Sequence, residues 1–322
     1  MKKIFENLSF KNSYQYLLFK LAIFLLLVFV ADVLIGSLFK YFYFKQTSGW
    51  EYRTKYAVED TKADILVFGA SRAQQQYNPV FFEQQLQQSC YNVGRDGESI
   101  FYDYAILTGV LKRYTPKIII LDFQNKEFST FQGSNDRISV LLPFYSDHPE
   151  MRSTIQLKSP YEKYKLLSKV YPYNSMIFKI AMGNTQLSKK KDEDIKGYLP
   201  LTGALDEPIR TVDLSEKYAI DTNKVNCYKA FISDCISANI KLYIVCSPYY
   251  IQAIGSDSSM TIGKEIAKAN NVDFFDFSRD EVFLKNSKLF DDTVHVNVTG
   301  AKIFSMQLID SIKSYSKNQG VK

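Results

Sequence analysis

The chain has 322 residues, 46% of them hydrophobic and 15% aromatic, so it can bury a large core, and one domain with appendages is expected. Its net charge of +6 is spread widely, and the one dense run, Ser188–Asp194 (SKKKDED), mixes both signs; it reads as a solvated loop and excludes nucleic acid as a partner. The four cysteines (Cys90, Cys227, Cys235 and Cys246) have no metal-ligand spacing, and Cys227 and Cys235 lie on one predicted helix, too far apart to bridge.

Taken in chain order, residues 1–20 form a short tail. Leu21–Phe39 (LAIFLLLVFVADVLIGSLF) then gives an apolar run bounded by Lys20 and Lys40, long enough to span a bilayer as a single pass. Gly36–Ser37 matches a signal-peptidase site poorly, which favours an uncleaved anchor over a signal peptide. Asp32 is costly in lipid, so it is expected to face a partner helix or to lie near one interface. Lys2, Lys3, Lys11 and Lys20 precede the run, while Lys40, Lys45, Arg53 and Lys55 follow it, and this balance leaves the orientation open. Residues 40–62, polar from Tyr43 onward, read as a linker to a domain over 63–322.

Within that domain, apolar runs bounded by turn signals predict strands near 64–69, 90–94, 117–123, 240–246 and 272–277. Helices are expected between them, near 79–89, 98–114, 222–238 and 258–270, with a last one near 299–316. Strand alternating with helix means a parallel, doubly wound sheet between helical layers. Residues 129–215 break this rhythm. The stretch is rich in Tyr, Lys, Ser and Pro, and so long an excursion from a strand end reads as a cap over an active site. Tyr161, Tyr164, Tyr171 and Tyr173 would pack the cap core or stack on sugar rings, and His148, in Ser146-Asp147-His148-Pro149, reads as a surface turn residue.

Two short motifs carry chemistry. In Asp64-Ile65-Leu66-Val67-Phe68-Gly69-Ala70-Ser71-Arg72 a buried strand runs into a glycine turn, and Ser71 lands where a helix can begin. There it is either a helix cap or a nucleophile exposed at the carboxyl edge of the sheet, where open α/β folds place their ligands. Far downstream, Phe290-Asp291-Asp292-Thr293-Val294-His295 holds one of only two histidines, with Asp292 three residues before His295. That spacing lets a carboxylate fix the tautomer of an imidazole acting as general base. The plainer reading is a surface loop before a helix capped by Thr299 or Asn297.

Together these motifs resemble the SGNH (GDSL-like) hydrolase and acyltransferase superfamily, in which a Ser after the first strand and an Asp-x-x-His before the last helix form a triad. The matching residues are Ser71, Asp292 and His295. Cys90-Tyr91-Asn92-Val93-Gly94-Arg95 resembles the second block, with Gly94 in place of the glycine that helps bind the oxyanion beside the N–H of Ser71. Lys117–Asn125 ends a strand where the family has its asparagine, so Asn125 is the corresponding residue, although the usual Gly-x-Asn-Asp is absent and the first block reads Gly-Ala-Ser-Arg rather than Gly-Asp-Ser-Leu. The resemblance covers about 60–125 and 240–316. It implies a three-layer α/β/α, flavodoxin-like fold with a five-stranded parallel sheet, and a serine esterase or O-acyltransferase needing neither metal nor organic cofactor. It further implies an acylated cell-envelope polysaccharide as substrate, with the domain outside the cytoplasm. A transferase so placed would need a membrane-bound O-acyltransferase as partner. A non-catalytic scaffold that binds glycan or another partner is the alternative from a different class.

Overall fold

The computed structural model describes residues 12–130, 133–185 and 194–319; most of the charged run at 188–194 and most of the tail at 1–20 therefore lie outside the described residues. A central sheet of five parallel strands is formed by β1 (Ile65–Phe68), β2 (Cys90–Asn92), β3 (Ile118–Asp122), β5 (Lys241–Cys246) and β7 (Asp273–Asp276), in the order β2-β1-β3-β5-β7. All five fall where the apolar runs predict them. Their alternation splits the core in two. Leu66, Phe68, Ile119, Leu121, Leu242, Ile244 and Cys246 point to one face, and Ile65, Val67, Ile120, Tyr243 and Val245 to the other.

The first face is covered by helices α5 (Ile100–Leu111), α9 (Thr222–Ser237) and α10 (Ser258–Ala269), whose buried residues belong to the same cluster. The second is covered by α3 (Ser71–Gln76), α4 (Pro79–Leu86), α11 (Glu281–Leu284) and α12 (Val298–Gln319). Local chemistry sets their starts. Pro79 follows Asn78, whose side chain caps Val80 N; Asp221 caps α9, and Asp257 caps α10 through Met260 N at 2.9 Å. The strand order reverses direction between β1 and β3, and such a switch point opens a crevice at the carboxyl edge.

Two regions depart from the sequence expectations. The apolar helix α1 runs from Ser13 to Lys45, well past both ends of the expected span. The linker is itself folded. Residues 49–55 form α2 and Tyr56–Asp60 a π-helical turn, with Glu51, Arg53 and Thr54 buried. Arg95 ties this stretch down by hydrogen bonds to Glu51, Trp50 O and Thr54, and Arg113 by hydrogen bonds to the Val58 and Thr61 carbonyls. A polar composition hid an element whose polar groups are spent inward.

The expected cap divides into two parts that behave differently. Residues 133–185 hold the short helices α6 (Arg152–Gln156), α7 (Glu162–Lys165) and α8 (Ile177–Gly183) and pack on α1 and α5. Tyr173 is buried against Phe39 and Tyr43, whereas Tyr161 and Tyr164 face outward. His148 is no surface turn residue: its ring lies between Glu59 (3.6 Å) and Glu150 (2.9 Å), pinning this part to the π-helical turn. Residues 194–215 instead run along the domain edge, and β4 (Arg210–Asp213) pairs in parallel with β6 (Ile251–Ile254) in a second small sheet.

Candidate active site

β1 delivers Ser71 to the carboxyl edge of the sheet. The chain turns through Gly69 at φ +134°, a conformation L side chains rarely adopt, and a side chain there would also run into Asp122 and Ala73. The Gly69 N–H donates to Asp103 Oδ1 at 3.0 Å, which fixes the turn. Burial pushes the Asp103 carboxyl well above its usual range. Ser71 then opens α3 with its hydroxyl partly exposed.

The second half of the site is the loop 290–297. It closes on itself through the Phe290–Val296 bridge and the Asp291 N–H to His295 O bond of 2.9 Å. Gln76, on the same short helix as Ser71, donates through Nε2 to Val294 O at 2.8 Å, and Tyr250 N donates to Thr293 O at 3.0 Å. The other side of the loop is held by residues 199–205. Leu205 N donates to Phe290 O, Val298 N to Leu201 O, and Gly203 N to Asp291 Oδ1. Asn297 caps α12 by accepting from Thr299 N and Gly300 N, so the capping role expected there is real and sits beside the site rather than replacing it.

Between these halves the three residues meet. His295 Nδ1 pairs with Asp292 Oδ2 at 2.8 Å, leaving Nε2 to accept from the Ser71 hydroxyl, also at 2.8 Å. Asp292 Oδ1 accepts from Val294 N (2.7 Å) and His295 N (2.9 Å), which sets the carboxylate plane. Partial burial raises the Asp292 carboxyl, but the bonds from His295 and the Val294 amide outweigh it and hold it below the usual carboxylate range. The site is open: the Asp292 side chain is 53% exposed and that of His295 20%. No described hydrogen bond or ion pair joins residues 133–185 to Ser71, Asp292 or His295. Cavities of about 570 and 340 Å³ elsewhere are not lined by these three residues either. Among the described residues no group of three His, Cys, Asp or Glu side chains is placed to hold a metal ion.

The expected oxyanion residues fare unequally. Ser71 heads α3, with its N–H at the helix start. The Gly94 N–H is not free: it donates to Asn92 Oδ1 at 2.9 Å, because Asn92 turns inward to clamp α3 through its Ala73 and Tyr77 carbonyls at 2.7 and 2.9 Å. Asn125 lies in a turn beyond β3, partly exposed, its backbone N–H donating to Tyr249 Oη at 3.1 Å.

A buried network beneath Ser71 was not foreseen. Arg72, next to Ser71, is fully buried and donates to Ser247 O at 2.8 Å and, through Nε, to Ser247 Oγ at 3.0 Å. It also lies 3.4 Å from Asp122 Oδ1 and 3.8 Å over the Tyr249 ring. Asp122 Oδ1 further accepts from Tyr77 Oη at 2.6 Å and from Ser247 N at 3.2 Å. Burial would lower the Arg72 pKa, but the Asp122 carboxylate more than offsets this and keeps the guanidinium charged. The one advance signal was Asp122, an acid at the carboxyl end of an otherwise apolar strand.

No family model matches the chain, and no curated protein is detectably similar. Among solved structures it is similar to the acetyl xylan esterase AlAXEase (15% identity, TM-score 0.38, covering 78% of this chain and 98% of that one). It is also similar to the psychrotrophic esterase EstA from Pseudoalteromonas sp. (12%, TM-score 0.40, 79% and 98%). The Bacteroides fragilis protein BF3764, which carries a provisional acylhydrolase name, is a third (12%, TM-score 0.40, 83% and 99%).

Proposed function

We propose that the chain is a membrane-anchored serine esterase of SGNH type. The observation that carries this reading is the continuous relay from Asp292 through His295 to Ser71, both links at 2.8 Å, at the carboxyl edge of β1. In the first step His295 Nε2 takes the Ser71 proton as Oγ adds to an ester carbonyl. The charge on the carbonyl oxygen develops towards the Ser71 N–H, with Asn125 as a second donor; Gly94 can join only by releasing Asn92. Collapse breaks the C–O bond, the imidazolium returns its proton to the departing alcohol, and an acyl-Ser71 ester remains. Water then adds to the acyl carbonyl as His295 takes its proton, the bond to Ser71 Oγ breaks with that proton returned to the serine, and the acid is released. The openness around Asp292 and His295 supports water over a carbohydrate hydroxyl as the second nucleophile, hence hydrolysis over O-acyl transfer.

The helix supports retention at a membrane. It is the one described helix long and apolar enough to cross a bilayer. The domain grips its carboxyl-terminal half through Asp32, Lys40, Phe42 and Tyr43, so cleavage near Gly36 would strip a buried contact. An anchored, open site fits acyl, chiefly acetyl, esters on cell-envelope polysaccharide outside the cytoplasm. The test is treatment of the full-length protein with a fluorophosphonate probe. Label on Ser71, absent in Ser71→Ala, is expected. Wild-type protein that stays unlabelled yet binds envelope glycan would make it a scaffold instead.

A further inference from the structure

The part of the insert that does not touch the relay has its own unexplained surface. Asp32, the acid within the apolar helix, is met by the turn at 168–170: Lys169 N donates at 2.7 Å, Val170 N at 3.3 Å, and Ser168 Oγ also donates. Gly36, one turn on, lets the Lys169 backbone come so close that a Cβ would overlap it. Farther along α1 the contacts are with Asp147 (Lys40 Nζ, 2.6 Å), Tyr173 and Asn184. The 168–170 turn is thus the part of the domain nearest the amino-terminal half of α1, where apolar side chains from Leu17 to Val30 stand exposed.

The surface beside that turn is of one kind. Tyr161, Tyr164 and Leu167 are 69%, 68% and 75% exposed. Lys163, Lys165 and Lys169 are exposed between them. The one acid of the stretch, Glu162, is turned inward and accepts from Tyr171 Oη at 2.6 Å. Amphipathic rings flanked by lysines, with no outward acid, suit the boundary between acyl chains and anionic headgroups.

We propose that the Tyr161–Lys169 edge is a lipid-binding collar that seats in the headgroup layer of an anionic bilayer around α1 at the level of Asp32. The proposal rests on the reading of α1 as an anchor. It also moves the membrane boundary. From Ser13 to Ala31 the helix rises about 28 Å at 1.5 Å per residue, close to the roughly 30 Å of a hydrocarbon core, so the span ends at Asp32 and not at Phe39. Lys20, inside this span, leans over the Tyr16 ring at 4.2 Å, towards the amino-terminal interface.

The test uses full-length protein in phosphatidylcholine vesicles containing phosphatidylglycerol, with nitroxide-labelled lipids as quenchers. In a Trp50→Phe background, single reporters are placed by Leu167→Trp, Tyr164→Trp, Leu26→Trp (anchor) and Val282→Trp (far surface). Headgroup-level nitroxide should quench the reporters at 164 and 167 at least threefold more than the one at 282. Lys163→Glu with Lys169→Glu should reduce that quenching. Reporters at 164 and 167 quenched only by aqueous acrylamide would place the edge in water and overturn the collar. Reporters shielded from both quenchers would assign it to a second protein surface, which overturns it equally. In either case strong quenching at 26 leaves the anchor standing; loss of quenching at 26 as well would remove the anchor and the collar together.

Discussion

The relay edge and the anchor-bound insert are built on opposite principles. At the relay edge, Ser71, Asp292 and His295 are set by tight local turns, and a buried polar network around Arg72 lies beneath Ser71. In the insert, short helices packed on one another and on α5 are tied to α1 through Asp32, Gly36 and Lys40. The first region brings three side chains within hydrogen-bond reach of one another; the second holds a domain against another element. Damage to one should therefore leave the other largely intact.

The largest effect should come from the relay itself. Ser71→Ala is expected to abolish probe labelling and to lower ester turnover by about 10⁴-fold or more, with His295→Ala close behind and Asp292→Asn at up to about 10⁴-fold through the wrong tautomer. Thermal melting of the folded domain, followed by circular dichroism in detergent, should barely change. Wild-type turnover in Ser71→Ala would remove the nucleophile and the contrast with it.

Arg72→Met probes the layer beneath. It leaves Asp122 buried without its cation, which costs about 3–5 kcal/mol, so the melting temperature should fall by roughly 10 °C. An unchanged melt would show that the network contributes little. Asn125→Ala separates a donor from a bystander: turnover should drop about 10²-fold with no change in melting, and full turnover would take Asn125 out of the site.

The smallest effect belongs to the insert. Burial lowers the His148 pKa, but hydrogen bonds to Glu59 and Glu150 outweigh this and raise it. A raised folded-state pKa contributes stability that is complete below the unfolded value and is lost as pH rises through the folded one. His148→Gln should therefore destabilise the protein near pH 5.5, by up to about 1 kcal/mol as for a partly exposed ion pair, or roughly 2–4 °C, and less at pH values well above the folded-state pKa, with probe labelling unaffected. Equal destabilisation at low and high pH would show that the ring acts by packing alone.

What was legible in the chain follows the same division. The five strands could be read because each is a short, continuous apolar run whose alternation serves two cores. Ser71, Asp292 and His295 could be read because each sits in a motif shorter than ten residues. Arg72 could not, since its partners Asp122 and Ser247 lie 50 and 175 residues away and only the fold joins them. Gly94 could be placed after β2 as an oxyanion glycine, but the inward turn of Asn92 that takes its N–H could not be read. The folded stretch after α1 and the partner of Asp32 escaped for one reason: polar residues spent on distant backbone look, in sequence, like polar residues in water.

The overlap that forbids a Cβ at Gly36 limits how far Ser71 can move relative to α1. Were residues 40–62 a flexible tether, Ser71 could sweep a volume of about 26 Å root-mean-square reach. With Lys169 wedged against Gly36 and Asp32 bridged to the same turn, that freedom is gone, and the domain stands on its helix like a bracket on a post. If α1 spans a bilayer as proposed, Ser71 stands at one fixed elevation above it, and the proposed esterase would be confined to esters drawn past that elevation.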